Sequence, residues 1–157
     1  MSLHIPPVHV PPDGGEPVYL VGDTYTTLLK ATHTNGELSL VEAIMPADAG
    51  PPPHTHHGES ETFIVMDGQL VITAGDEKYE VEAGGVVYVP KGVRHSFRNL
   101  SRTKPARIYF LYTPGGMDAM FTEIGTPGVR GQVGPSLNEV DVKAMAAVAD
   151  KYGFTFD

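Results

Sequence analysis

Between residues 18 and 113 the apolar positions fall in short runs, rich in Val, Ile, Tyr, Phe and Thr and separated by Gly, Pro, Asp or Asn. Runs of this length and composition read as strands. The chain offers VYLV (18–21), TYTTLLKAT (24–32), ELSLVEAIM (37–45), ETFIVM (61–66), QLVITA (69–74), KYEVE (78–82), VVYVP (86–90), HSFRN (95–99) and RIYFLY (107–112). Asp67-Gly68 is a tight turn between the fourth and fifth runs, and Ala74-Gly75-Asp76-Glu77 joins the fifth to the sixth. No helical period fits this stretch, so the prediction is an all-β antiparallel sandwich or barrel.

The last third changes period. Met117, Met120, Phe121 and Ile124 recur at helical intervals within 115–125, and predict a short helix that packs on the strands. Residues 136–153 predict a second helix, with Ser136 and Glu139 as a capping box and Gly153 as its stop. GTPGVRGQVGP between them reads as a connector, and HIPPVHVPP near the start as an arm that cannot form its own hairpin.

Side chains two apart in a strand share a face, and this period places the polar residues of greatest chemical interest. In ETFIVM, Glu61 is in phase with Phe63 and Val65. In GVRHSFRN, His95 is in phase with Val93 and Phe97. A carboxylate facing an apolar interior needs a cation or a proton, because leaving it ionised and alone costs several kcal/mol or more. PPPHTHHGESE at 51–61 supplies His54 and His56 on one face, about 6.6 Å apart at Cα. His57 then points away, and Glu59, after Gly58, is expected in an exposed loop. The prolines at 51–53 stiffen the approach to His54. His4, His9 and His33 stand alone, as tail and loop residues.

His54, His56, Glu61 and His95 thus form a 3-His-1-carboxylate set for one divalent transition metal, a mix of N and O donors that suits Fe, Mn, Ni, Cu or Zn. The chain has no cysteine, so any metal is held by nitrogen and oxygen, and disulfides are excluded.

Here the sequence resembles a known family. HTHHGESETFIVMDG (54–68) is similar to the first cupin motif through His54, His56, Glu61 and Gly68, and GGVVYVPKGVRHSFRN (84–99) to the second through Gly84, Pro90, Gly92, His95 and Asn99. One position departs: Asp48 stands where the family usually has glycine. The resemblance implies a double-stranded β-helix, or jelly-roll, barrel with short C-terminal helices, divided as arm (1–19), barrel (20–113) and helical extension (114–157). It also implies metal ligation by His54, His56, Glu61 and His95. The segment after the core resembles small cupins of quercetin 2,3-dioxygenase type, which implies a dioxygenase in which Glu61 also accepts a substrate proton. Phe63, Val65, Phe97 and residues of RIYFLY (107–112) are the expected pocket lining for a small aromatic or enolic molecule. The alternatives are a non-redox cupin (isomerase, decarboxylase or lyase on a small acid or sugar derivative) and a non-enzymatic binding module. By the same resemblance a homodimer is expected.

A chain of 157 residues with a net charge of −8 and scattered Lys and Arg fits one domain and offers no basic surface for nucleic acid. No apolar run approaches membrane-spanning length and the first residues lack a leader pattern, so a soluble, cytoplasmic protein is expected.

Overall fold

The computed structural model describes residues 4–136 and 139–156. In chain order the elements are β1 (Glu16–Leu20), β2 (Asp23–Leu29), a single 3₁₀ turn (Ala31–His33), β3 (Ser39–Met45), β4 (His54–His56), β5 (Ser60–Asp67), β6 (Gln69–Ala74), β7 (Glu77–Glu82), β8 (Val86–Val89), β9 (His95–Asn99) and β10 (Ala106–Thr113). After these come α1 (Asp118–Ile124), β11 (Thr126–Pro127), α2 (Glu139–Tyr152) and β12 (Phe154–Phe156). They make two antiparallel sheets, ordered β11-β1-β2-β3-β10-β5-β8 and β12-β4-β9-β6-β7. The fold is mostly antiparallel β with short C-terminal helices, and among the described residues neither sheet's pairing closes on itself.

The period-two reading holds along the central strands. In β10, Ala106, Ile108, Phe110 and Tyr112 are buried while the residues between them are partly exposed, and β5 buries Glu61, Phe63 and Val65 together. Phe63, Phe97 and Phe110 meet at 5.1–5.3 Å between ring centroids and form the centre of the core.

Local chemistry sets the ends. Gly153 stops α2 at φ +70°. Asp48 itself takes a left-handed φ of +58°, which Asp tolerates better than most side chains, and Arg98 pairs with its carboxylate, so the position does not require the family's glycine. Gly50 is required by close approach instead: a Cβ there would lie 2.2 Å from the Phe97 carbonyl oxygen.

Three details differ from the sequence reading. The end of the second run turns into the 3₁₀ helix at Ala31–His33, the connector contributes the two-residue β11 against β1, and β12 forms after Gly153. The cap proposed for the second helix spans residues 137–138, outside the described residues. Among the described residues no helix is long and apolar enough to cross a membrane.

Candidate metal centre

β4 lies between β12 and β9, with His54 directly opposite His95. Glu61 comes from the other sheet, opposite Tyr112 of β10 and Val89 of β8. The four residues expected as ligands therefore meet in the gap between the sheets. All are buried, and one ligand atom from each lies within 4.8 Å of the others.

The imidazoles are aimed. Nδ1–H of His54 donates to the Pro52 carbonyl at 2.9 Å, and Nδ1–H of His95 donates to the Val93 carbonyl at 2.9 Å. A carbonyl can only accept, so each Nδ1 holds the proton and Nε2 is the nitrogen left to bind an ion. His95 Nε2 is 2.8 Å from Glu61 Oε2, and His56 Nε2 is 3.3 Å from the same oxygen. Two acceptors facing each other at such distances need a positive charge between them, either a proton or a metal ion. Ligand bonds of about 2.1 Å would place four donors roughly 3–4 Å apart, so atoms already within 4.8 Å of one another fit one ion after a small contraction. It is a potential mononuclear site of three His and one Glu.

Glu59 corrects the sequence reading. It is 9% exposed, not looped into solvent, and its Oε1 lies 2.7 Å from Nδ1 of His56. Neither atom has another hydrogen-bond partner among the described residues. The bend at His57-Gly58 folds Glu59 back onto the ring three residues earlier, an arrangement that period-two reasoning does not describe. His57 points outward as expected, with Nε2 2.9 Å from Thr155 Oγ1.

The charges follow from this packing. Burial alone would lower the His56 pKa, but hydrogen bonding to Glu59 and Glu61 lifts it to about 9. Burial dominates at His54 and lowers it to about 4, keeping that ring neutral. Burial would raise Glu61, yet the hydrogen bonds from His56 and His95 outweigh it and hold the carboxyl well below its ordinary range.

A cavity of about 40 Å³, counted as space open to the centre of a water-sized sphere, adjoins His54, His56 and Glu61. Its other walls are largely apolar: Phe97 and Phe110 from the core, Met117 and Phe121 at α1, and Phe154 and Phe156 from β12. Of the residues expected as lining, Phe97 is in the wall. Phe63 and Val65 are fully buried in the core, with the Phe63 ring against His95 and Phe97. Tyr112, from the RIYFLY run expected in the lining, is in the wall, and so is Tyr25, which sequence reasoning missed. Burial and then the Glu61 charge keep the Tyr112 hydroxyl protonated, well above its usual range. The phase of Tyr112 with Phe110 in RIYFLY turns it to the same buried face.

Comparison with known proteins agrees with this architecture. The chain is 29% identical over 76 residues to uncharacterized protein MJ1618 of Methanocaldococcus jannaschii, covering 48% of this chain and 61% of that one. It is 26% identical over 110 residues to quercetin 2,3-dioxygenase of Bacillus subtilis, covering 69% of this chain and 32% of the enzyme. The chain thus spans less than two thirds of the length of these curated relatives. The solved structure of a predicted oxalate decarboxylase from Thermotoga maritima matches with a TM-score of 0.62 at 16% identity, over 68% of this chain and 99% of that one. Residues 40–112 match the Cupin_2 cupin-domain model, a span that holds all four converging side chains.

Proposed function

We propose that the chain is a metal-dependent enzyme that acts on a small organic acid without a redox step, as a decarboxylase, isomerase or lyase. The observation that carries this reading is the cavity over the four-residue cluster. At about 40 Å³ it holds roughly three waters, at about 10–15 Å³ each. A small acid replaces those waters; a flavonol, with its several rings, does not fit unless the α2 and β12 side opens. Among the described residues no Lys or Arg lines the cavity, so the positive charge that would anchor an acid is that of the metal site itself.

A divalent ion held by His54, His56, Glu61 and His95 would polarise a substrate oxygen as a Lewis acid. The chain's own groups do the rest. The aromatic and Met walls exclude water, the backbone carbonyls of Pro52 and Val93 fix two imidazoles, and Glu61 is the carboxylate placed to take a substrate proton. The name of the Thermotoga maritima protein belongs to the same reaction class, although a shared fold does not select a substrate.

The dioxygenase reading is favoured by the sequence relationship to quercetin 2,3-dioxygenase. One experiment separates the two. Protein loaded with Mn, Fe, Co, Ni or Zn is given small keto and dicarboxylic acids and a flavonol, with and without oxygen, and followed by NMR and an oxygen electrode. Turnover of an acid under nitrogen is the expected result. Oxygen uptake with the flavonol and no anaerobic turnover of any acid overturns the proposal in favour of the dioxygenase.

A further inference from the structure

The cavity has a second polar group that this reading leaves unused. Tyr25 of β2 is in its wall, three strands along the sheet from the strand that carries Glu61. Its ring stacks on Phe121 at 4.4 Å, and its hydroxyl is 3.0 Å from Oδ2 of Asp23. Asp23 is 3% exposed and pairs with no cation among the described residues. A buried carboxyl without a cation is costly, and the core gains nothing from it that an apolar residue would not supply.

We propose that Tyr25, held by Asp23, is a second anchor of the site: it donates a hydrogen bond to the far oxygen of an acid whose near end binds at the four-residue cluster. The site thereby selects small acids with an oxygen function at each end. This rests on the small-acid reading above and adds its specificity.

The state of Asp23 sets the direction of the bond. Burial pushes its pKa up to about 7, against a smaller lowering by the Tyr25 hydroxyl. Below that pH, Asp23 donates to the Tyr25 oxygen and leaves the phenolic O–H free for the cavity. Above it, Tyr25 donates to Asp23 and the cavity loses the donor. Among the described residues, Glu61 acts on Tyr25 and lies with Tyr112 in the wall, Asp118 of α1 accepts from the Ala31 N–H, and Asp141 of α2 accepts from the Val21 N–H.

The test titrates the full-length, cobalt(II)-loaded protein with malonate and with acetate, read by the visible cobalt spectrum on either side of pH 7, for wild type, Tyr25→Phe and Asp23→Asn. Tyr25→Phe is expected to weaken malonate binding about ten-fold or more while acetate binding and cobalt content stay unchanged. Wild-type malonate affinity is expected to fall as pH rises through about 7. In Asp23→Asn that step vanishes whichever way the amide is turned. Equal malonate affinity in Tyr25→Phe and wild type overturns the inference, as does an equal loss of malonate and acetate, which would mean that Tyr25 only shapes the wall. If Tyr25→Phe does not fold, the Asp23→Asn profile decides alone, and a wild-type profile there is a refutation. Cobalt-loaded wild type that binds neither acid overturns the small-acid reading together with this one; malonate binding without the Tyr25 effect overturns only this one.

Discussion

Replacing Glu59 with Gln tests whether the contact with His56 sets the strength of the metal site. The carboxylate lies 2.7 Å from Nδ1, and both side chains are about nine-tenths buried, so water screens the pair little. Gln keeps an oxygen that can accept from Nδ1–H and removes only the charge. Loss of such an outer carboxylate typically lowers metal affinity 10–100-fold, or about 1.4–2.7 kcal/mol. An opposing effect must be subtracted. With His56 raised to about 9 by Glu59 and Glu61, a metal arriving at neutral pH must displace a proton, and Glu59→Gln lowers that pKa and eases the displacement. The sign is fixed by pH. Above about 9 no proton competes and the full loss is seen, whereas near pH 7 the difference between variant and wild type narrows. Glu59→Ala should be weaker than Glu59→Gln at every pH, because it also leaves Nδ1–H buried and unpaired, at about 1–3 kcal/mol. The assay is competition for zinc against a chromophoric chelator across this pH range. Equal affinities for wild type and Glu59→Gln at high pH would refute the reasoning.

His54→Ala or His95→Ala should sharply reduce bound metal measured by mass spectrometry after dialysis, while His57→Ala, whose ring faces solvent, retains the wild-type content. Glu61→Gln, loaded to equal metal content, should lose about 10²–10⁴ in turnover if the carboxylate takes the substrate proton, and full activity would exclude that role. Asp23→Asn should stabilise the fold at neutral pH: a carboxyl with a folded pKa near 7 against 3.8 costs nothing below pH 3.8, and its cost grows as pH rises to about 7. The upper bound is about 4 kcal/mol, so the variant's melting temperature should exceed the wild type's at pH 7 and converge with it in acid. Light scattering should give twice the mass of one chain, as the resemblance to small cupins implies.

The legibility of this fold followed the range of the interactions involved. Glu61, Phe63 and Val65 could be assigned to the interior because alternation along one strand is a local property, and the same holds for His95 and Phe97. Glu59 was misplaced because a bend, not a strand, carries it, and its burial depends on the ring of His56. Asp48 is the converse: its departure from the cupin motif concerned only backbone sign and a surface ion pair with Arg98, so the four converging side chains were unaffected. Tyr25 could not be distinguished from an ordinary core residue, since all of Asp23–Leu28 is buried and alternation carries no information there.

β12 had no local signal either, because its partner lies nearly a hundred residues earlier. Phe154 pairs with His56 and Phe156 with His54. β4 has only three residues, and the prolines before it have no N–H to offer a ladder, so the histidine strand depends on its neighbours for rigidity. One neighbour is β9, which brings His95; the other is the C-terminal strand, reinforced where the His57 N–H donates to the Gly153 carbonyl. α2 itself buries no residue fully and is tied to α1 through Glu123, which accepts from Lys151 and Tyr152. The segment that completes the ligand strand and walls the cavity with Phe154 and Phe156 is therefore joined to a helix with few deep contacts. Local opening starts from elements with few buried contacts. Movement of α2 would loosen the strand that aims His54 and His56 and widen the cavity at the same time, so access to the cavity and the geometry of the four converging side chains share one element.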